Sequence, residues 1–140
     1  MNRRELREHI FKMLFRADFY EGEEQEAQLE LYLQGEEEES GQEIKESDKE
    51  YMLEKTKAII AALKPIDEVI NQASENWKTA RMGKVDLTIL RLAVYEIHYD
   101  KDIPEKVAIN EAVELSKKYG MEDTFAFVNG VLAKVCKQNK

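Results

Sequence analysis

Arg4, Arg7, Phe11 and Phe15 recur at intervals of three and four residues. At 100° per residue they fall within roughly an 80° sector of a helix. Arginine beside an aromatic ring is the combination that single-stranded nucleic acid uses, guanidinium groups pairing with phosphates while rings stack on bases. The same residues have a plainer use, in which Phe11 and Phe15 widen a core-facing stripe and the arginines stay in water. Phe127, near the other end of the chain, lies roughly 80–100° off the stripe centre of Val128 and Val135, half exposed by that reckoning. It too is either a base-stacking ring or an aromatic at the edge of a core.

Catalytic chemistry has little to work with. His9 and His98 have no partner at metal-ligand spacing, and no glycine-rich phosphate loop is present. The single Cys136 sits in a lysine-rich end with no helix start to activate it, and it has no second cysteine for a disulfide. The expectation is no catalytic residue, no metal and no cofactor.

The elements that must position these groups are helical. Two prolines and six glycines in 140 residues, with abundant Glu, Lys, Leu and Ala, favour an all-α fold of six or seven helices. The spacing predicts a first helix over 3–19, apolar at Leu6, Ile10, Met13, Leu14 and Ala17. A weaker helical pattern covers 23–33, and Glu36–Gly41 is expected to be a solvated or mobile loop. Asp48 can cap a helix running through Leu63, and Pro65 opens the next, over 65–77, with Ile66, Val69, Ile70, Ala73 and Trp77 inward. Thr79–Lys84 is the expected seam between an N-terminal subdomain of about 1–78 and a C-terminal subdomain of about 84–138. Asp86 can cap a helix over 87–99. Pro104 opens one that Gly120 stops, and Asp123 or Thr124 caps the last, with Phe125, Val128, Val131, Leu132 and Val135 inward. Asn110, Asn129 and Gly130 are costly in helix interiors and are expected to serve close helix–helix approach or side-chain hydrogen bonds.

The net charge of −8 argues against a nucleic-acid partner, but its distribution does not. Residues 1–16 carry Arg3, Arg4, Arg7, Lys12 and Arg16 against Glu5 and Glu8, whereas residues 21–54 carry fourteen acids against Lys45 and Lys49. Lys134, Lys137 and Lys140 make the last ten residues basic as well. At a Debye length of about 8 Å the local field outweighs the sum. No apolar run approaches the roughly 18 residues of a membrane span, and Glu5, Glu8 and Asp18 do not suit a transit peptide. The expected location is the cytoplasm, with no membrane partner.

Several blocks carry a resemblance. They are Arg3-Arg4-x-x-Arg7-Glu8, Trp77 with Arg81, and Val85-Asp86-x-x-Ile89-Leu90-Arg91-x-Ala93-x-Tyr95-Glu96, followed by Val107-Ala108-Ile109-Asn110-Glu111-Ala112-Val113-Glu114-Leu115 and Phe127-Val128-Asn129-Gly130-Val131-Leu132. In this order and spacing they resemble the NusB family of bacterial transcription antitermination factors over nearly the whole length. The resemblance implies two packed helical subdomains that bind the single-stranded boxA element of nascent RNA together with the ribosomal protein NusE. With other Nus factors, such a complex acts on RNA polymerase and suppresses termination, especially on ribosomal RNA operons. By position it implies RNA contact for Arg3, Arg4, Arg7 and Phe127, and contact with the protein partner for Phe15 and Asp86. Asp123 falls in a loop that tunes the RNA complex. Two departures weaken the phosphate attraction: Glu5 interrupts the arginine run, and Ala126 stands where the family can carry a basic residue. The competing expectations are a structural protein–protein module or homodimer that masks its own RNA face, and an RNA-binding appendage of a ribosomal RNA methyltransferase.

Overall fold

The computed structural model describes residues 1–75 and 77–139, so Asn76 and the basic Lys140 of the sequence lie outside the described residues. Seven α-helices and one turn of 3-10 helix make up the regular structure, with no strand among the described residues. Contacts divide the chain into two units, Met1–Ile60 and Ala61–Lys140.

In the first unit, α1 spans Arg3–Ala17. It opens with a capping box: the Asn2 side chain accepts the Glu5 amide at 2.8 Å, and the Glu5 carboxylate accepts the Asn2 amide at 3.2 Å. Glu5 therefore interrupts the arginine run for a local reason, as the third helical residue that completes the cap. α1 packs on α2 (Gly22–Ser40), burying Leu29, Tyr32 and Leu33 along the latter. The Gln25 side-chain amide closes the turn between them by donating to the carbonyls of Ala17 and Tyr20. α3 covers Glu46–Ala61 and buries Met52, Thr56 and Ile59, with Asp48 in its first turn.

The loop expected at Glu36–Gly41 is instead the last turns of α2. Glutamate is a good helix former, and one interior glycine at Gly35 is tolerated. The stop comes at Gly41, whose φ of +71° is a left-handed cap that donates its amide to the Glu37 carbonyl at 2.9 Å. Carboxylates at a helix C-terminus oppose the dipole. Glu37 is partly compensated by Lys49 at 3.1 Å and by the Ile44 amide at 2.8 Å, which hold its carboxyl below the usual range, the amide being the larger cause.

The second unit holds α4 (Leu63–Ala73), the 3-10 turn (Thr79–Arg81), α5 (Lys84–Tyr99), α6 (Glu105–Tyr119) and α7 (Thr124–Gln138). α5 is central to it. Leu87, Ile89, Leu90, Leu92, Ala93 and Val94 are all buried, and α4, α6 and α7 pack around this helix. The contact boundary thus lies at Ile60 rather than at the expected seam of 79–84, because α4 packs on α5 and α7.

Four sequence expectations need correction here. α4 ends at Ala73 rather than at 77, and Trp77 is 48% exposed rather than inward. The chain turns because the Ser74 hydroxyl donates to the Trp77 carbonyl and the Asn71 side chain accepts the Thr79 amide. α5 starts three residues earlier than expected, capped at Gly83, which puts Asp86 in the first turn. Phe125 is 44% exposed, because at the second position of α7 it points off the stripe of Val128, Val131 and Val135. Asn110, Asn129 and Gly130 are exposed, and a Cβ on Gly130 would meet nothing within 4 Å. None of the three serves close packing. The glycine that does is Gly120, whose added Cβ would sit 2.6 Å from the Thr124 side chain and 2.7 Å from the Ser116 carbonyl.

Candidate nucleic-acid interface

Arg3 and Arg4 are exposed in the first turn of α1. Cations at a helix N-terminus oppose the macrodipole and cost a few tenths of a kcal/mol each. The same placement sums two full charges with the partial positive charge of the helix end, which is a favourable field for a phosphate. Arg7 differs from both. It is buried at 8% exposure, so most of its surface is withdrawn from any ligand. Phe11 is buried as well, and the core-widening alternative holds for that ring.

Phe15 lies about 18 Å from Arg3 along the helix axis, at twelve residues of 1.5 Å. It is half-buried, tilted against Phe11 at 6.5 Å and edge-on to Phe19 at 5.5 Å between ring centroids. Phe19 is 60% exposed. Sequence reading did not single it out, although it continues the spacing of Phe11 and Phe15 by four residues. The arginine–aromatic sector therefore separates into a cationic end and an aromatic end, with a buried middle.

The second unit assembles its own cluster. Asp86 is half-buried, and its Oδ1 accepts a hydrogen bond from the Thr124 hydroxyl at 3.1 Å. That hydroxyl in turn accepts the Met121 amide at 2.9 Å. Asp123 stands at the N-cap of α7 and is exposed, but it makes no side-chain cap; Thr124 organises the loop instead. Phe127 is half-buried one turn further on, its amide bonded to the Asp123 carbonyl at 3.2 Å. Ala126 is exposed beside it, and Met121 is 84% exposed. The structure thus joins Asp86 to the Asp123–Phe127 loop through Thr124. Its signal in the sequence is a hydroxyl at the start of a helix, which also fits a cap.

The remaining polar features fit anions poorly. A cleft of about 450 Å³ in the first unit is lined by Glu5, His9, Glu36, Glu43 and Asp48 among others. His9 bonds the Tyr32 hydroxyl at 2.7 Å. Burial pushes its pKa down, against the partly opposing charge of Glu36. Among the described residues no group of three or more His, Cys, Asp or Glu could hold a metal ion, and no helix is long and apolar enough to cross a membrane.

The NusB family model matches residues 4–137 of this chain. The transcription antitermination protein NusB of Agathobacter rectalis is 52% identical over 137 residues, covering 96% of this chain and 98% of that protein. Its counterpart in Lachnoclostridium phytofermentans is 49% identical over 135 residues, with the same coverage. Among solved structures, T. maritima NusB superposes with a TM-score of 0.85 at 36% identity, over 99% of this chain and 92% of that one. A chain from the crystal structure of the antitermination factors NusB and NusE in complex with double-stranded RNA gives a TM-score of 0.78 at 28% identity, over 97% and 96%.

Proposed function

The chain belongs to the NusB family, and on that premise we propose that it is a transcription antitermination factor that binds boxA-type single-stranded RNA together with the ribosomal protein NusE. The complex then engages the other Nus factors and RNA polymerase and supports transcription of ribosomal RNA operons. The role is that of an adaptor, with no catalytic step and no cofactor.

Each unit contributes its own RNA contact. In the first, Arg3 and Arg4 pair with phosphates, and their exposure at the positive end of α1 is the observation that carries the reading. Arg7, being buried, acts chiefly by supporting that helix turn. In the second, the half-exposed ring of Phe127 offers a face to a base, and Asp123 adjusts the approach of the strand. Phe15 and Asp86 face the protein partner, Phe15 through a ring cluster that reaches solvent at Phe19. With Ala126 in place of a cation, RNA affinity without the partner is modest, and the partner supplies the missing phosphate contacts.

The test is co-purification with NusE followed by titration of boxA-type RNA. A single strand and the same sequence as a duplex are compared, since a solved relative holds double-stranded RNA. The reading expects a stable heterodimer that prefers the single strand. A stable homodimer that retains neither NusE nor RNA contradicts it.

A further inference from the structure

The α6–α7 loop is fixed from two sides. On one side Gly120 is pressed against Thr124 so closely that a Cβ there would lie 2.6 Å from the threonine Cβ and Cγ2. On the other side the Thr124 hydroxyl is spent twice, accepting from the Met121 amide at 2.9 Å and donating to Asp86 Oδ1 at 3.1 Å. Thr124 is only 4% exposed, so this hydroxyl does not exchange its partners freely for water. Asp86 lies on the first turn of α5 and is half-buried, which leaves its second carboxylate oxygen able to accept from an outside donor. The residue that is to meet the protein partner is thus one hydrogen bond away from the first residue of α7. Asp123 precedes that residue, and Phe127 follows it by three positions.

From this geometry we propose that Thr124 is a positioning residue, which couples occupancy of the partner site at Asp86 to the RNA-contacting loop at Asp123–Phe127. The proposal rests on the partner and RNA roles given under the proposed function. A donor bound to Asp86 holds the carboxylate in one rotamer. The held Oδ1 then fixes the Thr124 hydroxyl, and with it the Met121 amide and the opening turn of α7. Whichever ligand binds first favours this bonded arrangement for the second, so each ligand tightens the other by the same factor. Asp123 makes no cap of its own, so the side-chain hydrogen bonds on the opening turn of α7 are those of the Thr124 hydroxyl.

The experiment measures RNA affinity by fluorescence anisotropy with and without saturating NusE, for the wild type and for Thr124→Val, Thr124→Ser and Asp86→Asn. In the wild type the partner is expected to tighten RNA binding at least about fivefold, the lower end of ordinary coupling. Thr124→Val keeps the shape and removes the hydroxyl, so the gain should fall at least about twofold below the wild-type value, the remainder being the partner's own phosphate contacts, whereas Thr124→Ser should retain it. Asp86→Asn still offers an oxygen to Thr124 but turns an NH2 toward the partner's donor, so even at saturating partner its gain should fall as the valine variant's does. This arm decides the matter even where the valine variant folds poorly. A valine variant with the full wild-type gain overturns the coupling and leaves the RNA-adaptor reading intact. Loss of the gain in the serine variant, or a full wild-type gain in the asparagine variant, overturns it as well. A wild type that shows no gain at all contradicts both.

Discussion

The guanidinium of Arg91 forks across the carboxylate of Asp67, Nε to Oδ1 at 2.9 Å and a terminal nitrogen to Oδ2 at 2.7 Å. Both side chains are largely withdrawn from water, at 14% and 24% exposure, so the pair clamps α4 to α5 with little screening. Asp67→Ala leaves the cation without this partner and is expected to destabilise the second unit by about 1–3 kcal/mol. Arg91→Lys keeps the charge but loses the planar fork, and should cost about 1 kcal/mol. Urea denaturation followed by circular dichroism checks both. Equal stability of all three proteins would mean that the clamp is immaterial to how α4 is held.

Three glycines should respond to alanine in different ways. At Gly41 the φ of +71° penalises any Cβ, so Gly41→Ala should lower stability by about 1 kcal/mol. At Gly120 the Cβ would collide with Thr124 and the Ser116 carbonyl, and a loss of about 1–3 kcal/mol is expected. At Gly130, inside α7 with open space around it, alanine should stabilise by about 0.5–1 kcal/mol. Thermal melts of the three variants settle the order, and a destabilising Gly130→Ala would contradict the open surface described for α7.

His9 makes the first unit sensitive to mild acid. Its pKa lies below 6.5 in the fold because burial disfavours the charged form more than Glu36, Glu8 and Glu5 favour it, with Lys12 adding to the depression. The unfolded chain therefore takes up this proton first as pH falls. The stability contributed by neutral His9 is fully present above about pH 6.5 and is lost as pH falls from there through the folded pKa. The difference in unfolding free energy between wild type and His9→Gln, followed from pH 7.5 to pH 5, should shift against the wild type on acidification. A difference that stays flat across that window would contradict the assignment.

The helical class and most helix centres were legible from the 3.6-residue spacing of apolar residues such as Ile10, Met13, Leu14 and Ala17, or Val128, Val131, Leu132 and Val135, all of which are buried. The sequence pattern was weaker wherever a side chain was held by something other than its period. Glu37 lies in the last turns of α2, where its charge is compensated by Lys49, twelve residues away, and by the Ile44 amide. Trp77 leaves its helix because Ser74 and Asn71 turn the backbone. At the candidate site the exposed Arg3 and Arg4 could be located from charge alone, but the burial of Arg7 could not. A helical wheel records direction and takes no account of what packs there. Thr124 was hidden for a related reason, since its link to Asp86 spans 38 residues and leaves no local spacing to read.

Charge reversal at the start of α1 tests the central claim most directly. Arg3→Glu with Arg4→Glu places acids where the helix dipole welcomes them, so stability should hold or rise by a few tenths of a kcal/mol. RNA binding should move the other way. Titrated with boxA-type single-stranded RNA in the presence of NusE across a range of salt, the double variant should bind more weakly at low salt. Its slope of log affinity against log salt should be shallower by about 1.4, the loss of two phosphate contacts on a single strand. An unchanged affinity and an unchanged slope, in a variant that remains folded, would contradict the account.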